Sequence, residues 1–125
     1  MANSRPIKTP GPDHPISIAP SGKHIVVSAG GQIIADTKNA LTLQEASYPA
    51  VYYIPRADVN TALLAPSSHQ TYCPYKGDCS YYSIAPGGDR SINAIWTYEQ
   101  PHASVAQIAG YMAFYPDRVE QISVE

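Results

Sequence analysis

The sequence predicts a mainly β domain, and three observations carry that prediction. Short runs of β-branched and aromatic residues alternate with polar ones, as in His24-Ile25-Val26-Val27-Ser28 and Ser80-Tyr81-Tyr82-Ser83-Ile84. Twelve prolines and eight glycines break the chain into pieces too short for long helices. The aromatic residues are ten Tyr against one Phe and one Trp. Tyr suits half-buried strands, where the ring packs inward and the hydroxyl finds a polar partner. The same excess fits a polar, aromatic cleft.

The elements follow in order. Pro6, Pro10, Pro12 and Pro15 deny residues 1–15 a helix or a ladder, so 1–13 is a Pro-rich arm, extended over the surface or mobile. Residues 14–125 form one domain. Ile16 and Ile18 alternate in a first strand that ends at Pro20-Ser21-Gly22. Residues 24–28 and 32–36 form a hairpin, because Gly30-Gly31 tolerates the positive φ of a tight turn. Leu41-Thr42-Leu43 and Val51-Tyr52-Tyr53-Ile54 extend the same sheet as a meander.

Val59, Leu63 and Leu64 then fall at helical spacing, and Pro66 stops that helix after about two turns. Residues 67–77 are polar and contain Pro74 and Gly77, which predicts a loop. Strands follow at 80–84 and 91–98 around the turn Pro86-Gly87-Gly88-Asp89. A second short helix follows Pro101, with Ser104 as its N-cap and Val105 and Ile108 facing inward. Strands at 111–115 and 119–124 close the chain.

Composition narrows the function. Hydrophobic residues make up 44% and charged residues 14%, which suits a folded domain and neither a disordered chain nor a coiled coil. A net charge of −2 with no basic block argues against a nucleic-acid binder. No apolar run approaches the roughly 18 residues of a membrane span, and the N-terminus lacks the apolar core of a secretory signal. The expectation is a soluble, cytoplasmic protein with no membrane partner. A Tyr-rich β domain also allows a homodimer.

The phosphate-binding, zinc-protease and nucleophile-elbow signatures are absent. His14, His24, His69 and His102 lack metal-ligand spacing and read as structural or solvated. Cys73 and Cys79 are too few for a structural zinc site, so neither a metal nor another cofactor is expected. A disulfide between them is sterically allowed and disfavoured in a reducing compartment.

Cys73 is a small half-buried residue or a thiolate stabilised by Lys76. Lys76 is a solvated charge, an anion holder or the partner of a buried carboxylate. Arg56 presents a fork to a ligand, or pairs with Asp58 or Glu99 to tie helix to sheet. Trp96 and Tyr98 share one strand face beside Glu99, as core or as the wall of a pocket for planar or cationic groups.

Several blocks together resemble a known family. They are His14-Pro15-Ile16, Gly30-Gly31 with Ala35-Asp36-Thr37, Tyr53-Ile54-Pro55-Arg56 with Asp58-Val59, Cys73-Pro74-Tyr75-Lys76-Gly77, Trp96-Thr97-Tyr98-Glu99 with Pro101, and Gly110-Tyr111 with Ala113-Phe114-Tyr115. The chain resembles, over about residues 14–124, a single-domain family of unknown function, some of whose members carry a nucleotidyltransferase-like label. The resemblance implies a β-tent of two antiparallel sheets, pinned at one edge and splayed at the other, the architecture of methionine-R-sulfoxide reductases and of the thalidomide-binding domain of cereblon. Two short helices complete it. Polymerase-type nucleotidyl transfer needs a Gly-Ser turn and an Asp-x-Asp/Glu pair for two metals, and this sequence has neither. Cys79 stands where the family commonly has a small residue, which leaves room for a redox pair with Cys73.

The expected function is therefore binding of a small polar or aromatic ligand between the sheets. Arg56, Asp58, Lys76 and Glu99 are its charged contacts, Tyr75, Trp96 and Tyr98 its aromatic walls, and Cys73 lies at the rim. The alternatives are an enzyme with Cys73 as nucleophile or redox centre, and an interaction module whose charges form a buried network.

Overall fold

A computed structural model describes residues 5–125, and it is mainly β. Ten strands form three antiparallel sheets where the resemblance implied two. The first sheet holds β1 (Ile16–Pro20), β4 (Leu41–Glu45) and β5 (Val51–Tyr53), in the order β1-β4-β5. The second holds β2 (Ile25–Ala29), β3 (Gln32–Thr37) and β10 (Gln121–Val124), in the order β10-β2-β3. The third runs β6 (Leu64–Cys73), β7 (Gly77–Ile84), β8 (Ile95–Thr97) and β9 (Met112–Phe114) in sequence order. Paired hydrogen bonds between Ile54 and Met112, each 2.8 Å, join the first and third sheets.

The Gly30-Gly31 hairpin forms as the sequence indicates, with Ala29 opposite Gln32. Gly30 is needed twice over. Its φ is +59°, and a Cβ there would lie 1.9 Å from the Pro86 carbonyl oxygen. The meander forms only in part, since β4 and β5 pair as expected but do not join the hairpin's sheet. Residues 41–43 pair with β1 and β5 and not with the hairpin, whose free edge takes the C-terminal strand instead. Long-range pairing leaves no trace in local alternation, so adjacency in sequence misled.

The stretch 67–77, expected as a loop, is largely strand. It lies at a sheet edge, where one side faces water, so polar residues and Pro66 are tolerated and hydrophobic alternation is lost. The register slips between Pro66 and Gln70, a bulge that absorbs residues 67–69. Both predicted helices exist only as 3-10 turns, at Arg56–Asp58, Thr61–Leu63 and Ala103–Ile108. Val105 and Ile108 are buried as expected, while the cap position falls on His102 and not Ser104.

The third sheet separates two cores, and strand alternation decides which residue enters which. In β9, Met112 and Phe114 join Ile25, Val27, Ile54 and Ile95 on one face, while Ala113 joins Leu43, Tyr53 and Tyr81 on the other. Among the described residues, the second core holds all three buried tyrosines, Tyr53, Tyr81 and Tyr98. Among the described residues, no helix is long and apolar enough to cross a membrane.

Candidate functional site

The Cys73-Pro74-Tyr75-Lys76-Gly77 block is the β6–β7 turn. Cys73 and Gly77 are partners across it, the Lys76 amide donates to the Cys73 carbonyl at 3.2 Å, and Gly77 adopts φ +110°, a backbone region that favours glycine. The His102 amide donates to the Lys76 carbonyl at 2.9 Å and holds the turn from the other side. The turn therefore points Lys76 inward, and its side chain is only 8% exposed.

A buried ammonium needs a partner, and Lys76 Nζ contacts Glu45 Oε1 at the end of β4. Glu45 is 17% exposed. Its other oxygen lies 2.7 Å from His14 Nε2, and the His14 ring stacks on Tyr75 with centroids 4.0 Å apart. Burial pushes the Glu45 carboxyl up, but hydrogen bonds to Lys76 and His14 outweigh it and hold the carboxyl below its ordinary range. Lys76 Nζ also lies 3.9 Å from Cys73 Sγ.

Lys76 and Glu45 line a recess of about 250 Å³ whose other walls include Tyr53, Tyr81, Trp96 and Tyr98. Burial pushes the hydroxyls of Tyr53, Tyr81 and Tyr98 well up, so all three stay neutral hydrogen-bonding groups. Trp96 Nε1 donates to the Tyr53 hydroxyl at 3.1 Å, and Thr71 Oγ1 and the Tyr81 hydroxyl are 2.9 Å apart. Burial likewise pushes the Cys79 thiol up, and both cysteines are free thiols.

A larger chamber of about 670 Å³ adjoins the recess, since Tyr48, Pro49, Val51 and Trp96 line both. Among the described residues, no charged side chain lines this chamber, and its deep walls come from Ile25 and Val27 of β2, Ile54 and Phe114. The exposed segment 48–50 forms its rim. Ala46, at φ +47°, turns the chain out of β4 into that segment.

The expected site residues divide between places. Lys76, Trp96 and Tyr98 come together in the recess, and Cys73 stands beside Lys76. Tyr75 is not part of the recess lining and stacks on His14. Arg56 and Glu99 pair with each other at 3.0 Å, with side chains 36% and 53% exposed. Arg56 also donates to the Tyr82 hydroxyl at 3.3 Å, so this group ties a 3-10 turn to the third sheet. Asp58 accepts from Thr37 Oγ1 at 2.7 Å.

The sequence reading missed Glu45 as the partner of Lys76. The signal was present: Leu41, Leu43 and Glu45 share one strand face, so a carboxylate follows two inward leucines. His14, expected as structural or solvated, closes the Glu45 cluster.

The proline arm contributes to this end of the molecule. The Tyr72 hydroxyl donates to the Pro6 carbonyl at 2.7 Å, and the Lys8 amide donates to the Pro74 carbonyl at 3.0 Å. Arg5 pairs with Asp78, which holds that carboxyl low. The described part of the arm is thus extended along the β6–β7 hairpin and delivers His14 to Glu45.

Residues 17–125 match the family described as Domain of unknown function (DUF427), which carries a nucleotidyltransferase-type label. The match covers most of the chain, and the chain belongs to that family. No curated protein matches it. Among the described residues, no three His, Cys, Asp or Glu side chains converge as metal ligands, so the donor set does not fit the metal pair of polymerase-type nucleotidyl transfer.

Proposed function

We propose that this DUF427 domain binds a small amphipathic molecule, with its apolar body in the chamber and its polar head in the adjoining recess. One observation carries the reading: an uncharged cavity of about 670 Å³ shares a wall with a recess that holds the buried Lys76–Glu45 pair and several tyrosine hydroxyls. Ligand sites combine those features, a mostly apolar volume of some hundreds of cubic ångströms with a few fixed polar groups at one end. The rim segment 48–50 is exposed and gives access without opening either core.

The ligand contacts in this reading are Lys76, Glu45, Tyr98 and Trp96. Arg56, Asp58 and Glu99 hold the frame together. The domain acts in the cytoplasm, where Cys73 and Cys79 stay reduced. The engagement of Lys76 by Glu45 weighs against Cys73 as an activated nucleophile, because the cation that would stabilise a thiolate already has a closer anion.

The experiment is calorimetric titration with aliphatic and aromatic amphiphiles, on the wild type and on Val51→Trp. Val51 lines both cavities, so the larger ring obstructs the junction. Binding to the wild type and its loss in a Val51→Trp protein of unchanged circular dichroism is the expected result. Binding that survives the substitution places the ligand elsewhere and overturns the reading.

A further inference from the structure

We propose that the ligand's head is an uncharged hydrogen-bonding group, such as an amide or an alcohol, and that Glu45 sets this preference. The inference rests on the cleft being a ligand site, and it concerns which chemistry that site accepts.

Among the described residues, Lys76 and Glu45 are the two charged ones that line the recess, and they neutralise each other in direct contact. Glu45's second oxygen is engaged by His14. The chamber walls carry no charge. A carboxylate entering this space loses its hydration and meets an ammonium that already holds an anion, with Glu45 as a like charge beside it. An ammonium meets the mirror problem, since Glu45 is shared between Lys76 and His14. Neither ion is repaid for leaving water.

A neutral head meets no such penalty. It accepts from a remaining Lys76 N–H or from a tyrosine hydroxyl, and it donates to a tyrosine oxygen. The raised tyrosines support this, because they remain neutral partners across the physiological range. Selectivity of this kind is built by penalising the wrong head as much as by rewarding the right one. Glu45 is then a specificity-determining residue. Replacing it with glutamine keeps the size and the hydrogen bond to Lys76, and leaves the ammonium without its counter-charge.

The test titrates octanamide, octanoate and octylamine at pH 7.5 into the wild type and Glu45→Gln. Trp96, the one tryptophan of the sequence and a wall of both cavities, supplies the fluorescence signal. The wild type is expected to bind octanamide at least ~10-fold more tightly than either ion, and Glu45→Gln to shift the amide-to-carboxylate ratio ~10-fold or more toward octanoate. Lys76→Met provides the reciprocal arm, with the shift toward octylamine, and serves if Glu45→Gln does not fold. A wild type that favours octanoate, or a ratio unmoved by both substitutions, overturns the proposal. If octanoate binds the wild type best and Val51→Trp abolishes it, the cleft stands as a ligand site and only the neutral-head inference falls. Binding of none of the three removes both.

Discussion

Lys76→Met isolates the energetics of the recess. The substitution keeps most of the buried stem and removes the charge, so packing changes little and Glu45 is left with His14 alone. Two unit charges about 4 Å apart at an effective dielectric of ~20 attract by about 4 kcal/mol. Removing one partner of a buried pair typically costs about 3–5 kcal/mol, because the other charge stays desolvated. Glu45 retains His14 and 17% exposure, which shifts the expected loss below that range, to about 2–4 kcal/mol. For a domain of this size that lowers Tm by roughly 6–16 °C.

The assay is urea unfolding of the wild type, Lys76→Met, Glu45→Leu and the double variant. The two single variants should be clearly destabilised and the double variant less so than their sum, with a coupling of about 2 kcal/mol. A Lys76→Met protein within about 0.5 kcal/mol of the wild type, or additive effects, refutes the claim that the pair is buried and coupled.

Two further outcomes follow from the same geometry. The Glu45 carboxyl is held below its unfolded value, so the folded state binds fewer protons near that range. Its stabilisation is present above the unfolded pKa of about 4.3 and is lost as pH falls through the lower folded value. Glu45→Gln should therefore flatten the acid limb of a stability–pH curve below about pH 4, and an unchanged limb contradicts it. Arg56 and Glu99 are a solvent-facing pair, so Glu99→Ala should cost under about 1 kcal/mol in the same urea assay, and a loss of several kcal/mol would restore the buried-network reading of these two residues.

What the sequence disclosed and what it hid divide by physical cause. The β2–β3 hairpin was legible because its alternation and its two glycines are local. Pro74 and Gly77 marked a break in regular structure, but the turn they make was legible only as part of a longer loop over 67–77. Strand β6 was hidden by its own position, since an edge strand needs no hydrophobic alternation. The β10–β2 pairing was hidden because nothing local encodes a partner so distant in the chain, as Val124 is from Ile25. Lys76 carried its own hint, a charge inside a constrained aromatic turn, while its carboxylate lay 31 residues upstream on a different sheet. Arg56 and Glu99 drew attention as charged residues in distinctive motifs, and they found each other.

The most direct test of ligand binding in the cleft is a two-dimensional 1H–15N NMR titration of the wild type with octanamide. Binding between the chamber and the recess should shift the Trp96 indole N–H and the amides of Val27, Val51 and Phe114, all on the cavity walls, and leave the Arg56–Glu99 region unmoved. Shifts centred on Arg56 and Glu99, or none at saturating octanamide, contradict the account.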